Sequence, residues 1–115
     1  MTADDFRRAA LKLPEAVELG HMGHPDFRVG GKVFATLGYP DAAWGMVKLP
    51  REQQEIMAAA APEVFQPVKG GWGAGGATNV RLAAADEATL ISALTAAWLN
   101  TAPQKLVKAF EGAAT

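Results

Sequence analysis

The 115-residue sequence contains no cysteine. That excludes a disulfide framework, thiol catalysis and thiolate zinc sites. Its one serine, Ser92, stands between Ile91 and Ala93 with no G-x-S-x-G elbow around it, which argues against acyl-transfer chemistry. No apolar run approaches the roughly 20 residues of a membrane helix. The start, Met1-Thr2-Ala3-Asp4-Asp5, is acidic where a signal peptide would be basic, so a cytoplasmic location without membrane partners is expected. Neither sign of charge dominates: 11 Lys and Arg face 12 Asp and Glu, a net charge of -1. A dedicated nucleic-acid binder usually carries a basic excess, but a local field can be basic on a neutral protein. Between Phe65 and Ala85 the only charges are Lys69 and Arg81.

What is present is apolar residues, at 50% of the chain, enough for one ordinary core. A single domain over residues 1–115 is therefore expected. Thr2 followed by Asp5 has the form of a helix N-cap, and Phe6, Ala9, Ala10 and Leu13 recur on one helical stripe that ends before Pro14. From Ala16 to Leu49, segments rich in Val, Phe and Leu alternate with glycine-containing breaks, the punctuation of about four antiparallel strands. Pro50 opens a second helix that Pro62 stops. A glycine-rich loop at 70–76 leads into Thr78-Asn79-Val80-Arg81-Leu82, which alternates as a half-buried strand does. Asp86 caps a third helix with Leu90, Ile91, Leu94 and Trp98 on its apolar side, and Thr101-Ala102-Pro103-Gln104 reads as a capping box before a last helix. This order predicts an α+β fold, a mainly antiparallel sheet of about five strands with helices on one face.

Three motifs carry potential chemistry. Gly71-Trp72-Gly73-Ala74-Gly75-Gly76 matches G-x-G-x-x-G, but it runs into a strand rather than a helix, so a dinucleotide site is not expected. Trp72 either stacks on a ligand from this loop or pins the loop to the core. His21, His24 and Asp26 offer metal-ligand types, yet their spacing is not diagnostic, and no metal or other cofactor is expected. The acidic pairs Asp4-Asp5 and Asp86-Glu87 fall in helix first turns, where the helix dipole favours carboxylates. No catalytic set emerges, and a non-enzymatic protein is expected.

Strand parity yields the constellation with most promise. If Val47 and Leu49 face the helices, Trp44, Met46 and Lys48 face outward, and if Val80 and Leu82 face inward, Asn79 and Arg81 face out. Interleaved aromatic and basic residues suit nucleic acid, with cations on phosphates and rings on bases. The plain alternative is a solvated sheet face covered by long side chains. A two-residue turn at Gly30-Gly31 sets Val29 opposite Lys32 and Phe27 opposite Phe34, leaving Arg28, Val33, Ala35 and Leu37 on the other side. Both sides then carry apolar groups. Either the sheet is covered on both faces or its register shifts.

These segments resemble the MmcQ/YjbR family of small bacterial proteins over nearly the whole chain. The residues carrying the resemblance are His21 through Ala35, Trp44 through Leu49, Gly70-Gly71-Trp72-Gly73, Val80-Arg81-Leu82 and the helix from Asp86 to Asn100. It implies a fold like that of bacterial frataxin homologues (CyaY-like) and DNA as the partner, bound through wing-like segments. Transferred to this chain, those segments are the hairpin with Arg28 and Lys32 and the glycine loop with Lys69 and Trp72, flanked by Lys48 and Arg81. This chain has Ala74 and Gly75 where similar proteins often hold a further basic residue in that loop. No catalytic residue comes with the resemblance. The alternative is a small-ligand or protein-interaction module lined by Trp44, Met46 and Trp72, and a monomer or weak homodimer is expected either way.

Overall fold

The structure, a computed structural model, describes residues 1–21 and 23–114, with the backbone alone for His21 and Ala114. Thr2 caps α1 (Ala3–Leu11): its hydroxyl accepts from the Asp5 N–H, and the Asp5 carboxylate accepts from the Thr2 N–H. Four strands follow, β1 (Val17–His21), β2 (His24–Val29), β3 (Lys32–Leu37) and β4 (Trp44–Lys48). Then come α2 (Arg51–Ala60), the short β5 (Phe65–Pro67), a four-residue helix α3 (Gly71–Ala74), and β6 (Ala77–Arg81). After a 3-10 turn the chain closes with α4 (Glu87–Thr101) and α5 (Gln104–Ala114). The six strands form one antiparallel sheet in the order β1-β2-β3-β4-β6-β5. No helix among the described residues is long and apolar enough to cross a membrane.

Helices cover one face of this sheet. α4 crosses β3 and β4, and α1 packs beside it. Phe6 of α1 and Leu90, Leu94 and Trp98 of α4 are buried against Phe27, Val29, Phe34, Val47 and Val80. The apolar stripes of α1 and α4 thus meet the inward strand positions, and burial of this area is the main stabilising term. The Trp98 indole N–H donates to the Pro14 carbonyl at 3.0 Å, so the largest core side chain leaves no polar group unpaired. Phe110 of α5 closes over Trp98, with ring centroids 5.1 Å apart.

The α+β class and the helices on one face agree with the sequence; three details differ. The sheet has six strands rather than about five, because β5 is only three residues long, ends at Pro67 and shows no alternation that sequence could reveal. The capping box at Thr101 does not form: Thr101 is the last residue of α4, and Ala102 is its C-cap. In the hairpin the two-residue turn holds, with Gly30 and Gly31 at φ 59° and 81° and Val29 opposite Lys32. A bulge then intervenes. Arg28 pairs with Val33 but Phe27 pairs with Ala35, so Phe34 is the extra residue and both Phe34 and Ala35 reach the core. The register shifts, and the second face of the sheet stays uncovered by helices.

Candidate functional site

That uncovered face is organised by one cross-strand row. Leu19 pairs with Asp26, Asp26 with Thr36, Thr36 with Met46, Met46 with Asn79, and Asn79 with Gln66, so the row crosses all six strands. Its central members, Asp26, Thr36, Met46 and Asn79, line the floor of a groove of about 500 Å³. Two aromatic side chains rise from opposite strand ends of this floor. Trp72 belongs to α3, which leads into β6 at Ala77, beside Lys48; Tyr39 lies in the β3–β4 turn, which the Gly38 N–H closes on the Trp44 carbonyl. Trp72 is 66% exposed and Tyr39 64%, and both line the groove.

The Trp72 end is held by specific packing. The side-chain amide of Gln54, buried in α2, donates to the carbonyls of Gly73 and Ala77 at 2.9 and 3.1 Å. The Arg51 guanidinium donates to the Ala74 carbonyl at 2.7 Å. A Cβ at Gly73 would lie 1.6 Å from the Val68 carbonyl oxygen, so only glycine allows the backbone this close. Of the two readings of Trp72, the structure gives the exposed one: the loop is pinned by α2, and the indole stands largely exposed above it. Gln54 and Arg51 escaped the sequence analysis because nothing in their helical pattern marks a contact 19 to 23 residues away.

The residues expected from sequence to contact nucleic acid divide into three groups. Lys48, Lys69 and Trp72 come together: the Lys48 ammonium lies 5.5 Å from the Trp72 ring centroid, and Lys69 lines the groove beside Trp72. Arg81 shares the face at its other strand end, with its guanidinium 4.4 Å from the Trp44 ring. Arg28 also faces outward but is bound by both oxygens of Asp26, at 2.9 and 3.1 Å; that contact raises its already high pKa and offsets its charge. Lys32 stands apart at the hairpin tip, opposite the core residue Val29, and thus on the helix side by register. The hairpin and the glycine loop therefore do not form a matched pair of wings.

Charge is unevenly divided between the two faces. Among strand residues on the open face the only acid is the ion-paired Asp26, against Arg28, Lys48 and Arg81. The acids Asp4, Asp5, Glu52, Glu55, Asp86, Glu87 and Glu111 lie in helices or their caps. Glu18 turns to the helix side, where it accepts from Arg7 at 2.8 Å. A nearly neutral chain thus presents a basic sheet face. On the groove floor, the Thr36 hydroxyl and the Asn79 amide make no hydrogen bond among the described residues. Their donors and acceptors are open to a ligand.

Of the proposed metal-ligand types, the His21 imidazole lies outside the described residues, as does Met22. His24 instead packs edge-on to Tyr39, with ring centroids 6.4 Å apart, and Asp26 binds Arg28. Among the described residues, no three His, Asp or Glu side chains converge on a metal position.

Comparison with known proteins gives a family and a fold. No curated protein matches the chain. A crystal structure of a Deinococcus radiodurans protein with the domain DUF419 is similar, with a TM-score of 0.71 and 20% identity over 86% of this chain and 77% of that one. At that identity the likeness speaks for the fold alone. The profile of the YjbR family matches residues 11–100, a span from the end of α1 to the last turn of α4 that includes the entire sheet and groove. The chain belongs to the YjbR family.

Proposed function

We propose that this protein is a non-enzymatic module that binds single-stranded nucleic acid across the open sheet face, with bases entering the groove and phosphates meeting Lys48, Lys69 and Arg81. The observation that carries this reading is Trp72, an indole 66% exposed on a backbone pinned by Gln54 and Arg51, with two lysines beside it. A fixed, exposed ring next to cations is the arrangement on which a base stacks while its phosphate is neutralised. Single strands fit better than a duplex, because base faces are accessible only when unstacked and the groove is concave. The DNA-binding character implied by the family resemblance is thereby given a different surface: the sheet groove in place of paired wings.

The test is a titration with a single-stranded DNA oligonucleotide of about ten nucleotides, repeated across salt concentrations, beside a duplex of the same sequence. Three cations on a single strand predict a slope of log affinity against log salt of about -2. The single strand is expected to bind more tightly than the duplex, and Trp72→Ala to weaken it by about 1–3 kcal/mol. A second reading draws on the groove itself, whose size and apolar lining by Leu37, Met46 and Val68 also suit a small flat ligand. Binding of such a molecule, with no salt-dependent affinity for oligonucleotides, would favour that reading and overturn the first.

A further inference from the structure

The groove is chemically unequal at its two ends. Lys48 and Lys69 stand at the Trp72 end, whereas the floor towards β2 holds the carboxylate of Asp26, with His24 and Tyr39 above it. Asp26 is almost buried, its side chain 12% exposed, and Arg28 donates one hydrogen bond to each of its oxygens. A carboxylate offers about four acceptor positions, so each oxygen retains one. It has nothing to donate. Its cross-strand neighbour Thr36 has a hydroxyl with no partner among the described residues. Three strand spacings of about 4.8 Å separate Asp26 from Asn79 along the row, roughly 14 Å, which is room for two successive bases.

From this we infer that Asp26 makes the groove selective for a base carrying an exocyclic amino group, over thymine or uracil. The inference rests on the nucleic-acid reading of the groove. The Asp26–Arg28 pair leaves no unpaired cation to hold a phosphate at that end, so what enters there is a base, and the carboxylate accepts a hydrogen bond from the amino group of adenine, cytosine or guanine. Thymine and uracil set a carbonyl oxygen in the same place, so in that pose two acceptors face each other, and their one donor on this edge, N3–H, reaches the carboxylate only if the base shifts along the floor. Asp26 is in this sense a specificity-determining residue; the affinity common to all sequences comes from Trp72 and the lysines.

The cleanest probe is a pair of nearly isosteric oligonucleotides, about ten deoxycytidines and about ten deoxyuridines, which differ at the 4-position, amino against carbonyl, and in the proton on N3. They are titrated above neutral pH so that cytosine stays unprotonated. The wild-type protein is expected to bind the deoxycytidine strand at least about fivefold more tightly, while still binding the deoxyuridine strand with the salt dependence given above. Asp26→Asn keeps an acceptor for Arg28 but adds a donor, and is expected to bring the ratio to within about twofold of unity. Equal affinities in the wild type, or a ratio unchanged in Asp26→Asn, would overturn the inference while leaving the nucleic-acid reading intact. Absence of binding to both strands at low salt would overturn both. The wild-type comparison needs no variant, so it stands even if Asp26→Asn folds poorly.

Discussion

Trp72 and Trp98 carry the same side chain into opposite environments. Burial of an aromatic side chain removes about 150–250 Å² from water, worth roughly 4–6 kcal/mol at 25 cal/mol per Å². Trp98 gains this in full at the centre of the core, and Trp72 forgoes most of it. The expected outcomes diverge accordingly in denaturant unfolding. Trp98→Ala costs about 3–5 kcal/mol. Trp72→Ala costs no more than about 1 kcal/mol, the scale of its exposed contact with Lys48, and loses oligonucleotide affinity instead. Gln54 behaves as neither a core nor a surface residue: Gln54→Ala removes two buried hydrogen bonds to carbonyls that keep their backbone donors from Gly76 and Val68, and at about 0.5–1.5 kcal/mol each is expected to cost about 1–3 kcal/mol in the same measurement. It should also weaken oligonucleotide binding, because α3 is then no longer pinned beneath Trp72.

At the scale of elements, the helix starts show most directly how sequence becomes stability. The Asp5 carboxylate accepts from the Thr2 N–H and that of Asp86 from the Thr89 N–H, contacts that hold both below the ordinary carboxylate value of 3.8. The charged form is the bonded one, so their stabilisation is complete above that value and is lost as pH falls through the lower folded values. An Asp5→Asn, Asp86→Asn variant keeps the caps but not the titration. Followed by circular dichroism, the wild type should lose stability relative to this variant only below about pH 4. These caps were legible because they are local: Thr2 and Asp5, or Asp86 and the stripe it precedes, lie within one turn. The four-strand meander and β6 were legible from turn residues and alternation. β5, α3 and the bulge at Phe34 were not, since each is decided by a distant partner: β6 for β5, the amide of Gln54 for α3, and the packing of two consecutive residues into the core for the bulge.

For the whole molecule, the sum of charges gave little guidance and their distribution a good deal. A net charge of -1 hides a division in which helices and their caps hold most of the acids and the open sheet face holds Lys48, Arg81 and the paired Arg28. Strand parity identified the outward set of Trp44, Met46, Lys48, Asn79 and Arg81 correctly, because β4 and β6 are regular strands with one face in the core. The groove over Met46 and Asn79 was beyond reach of sequence, since it needs β2, β3, α3 and the Tyr39 turn brought around a single row. The most direct test of this surface is an amide chemical-shift map of the ¹⁵N-labelled protein titrated with a single-stranded oligonucleotide. Perturbations concentrated at Asp26, Thr36, Met46, Lys69, Trp72 and Asn79, growing weaker with salt, are the predicted result. Perturbations confined to α1 and α4, or none at low salt, would contradict it.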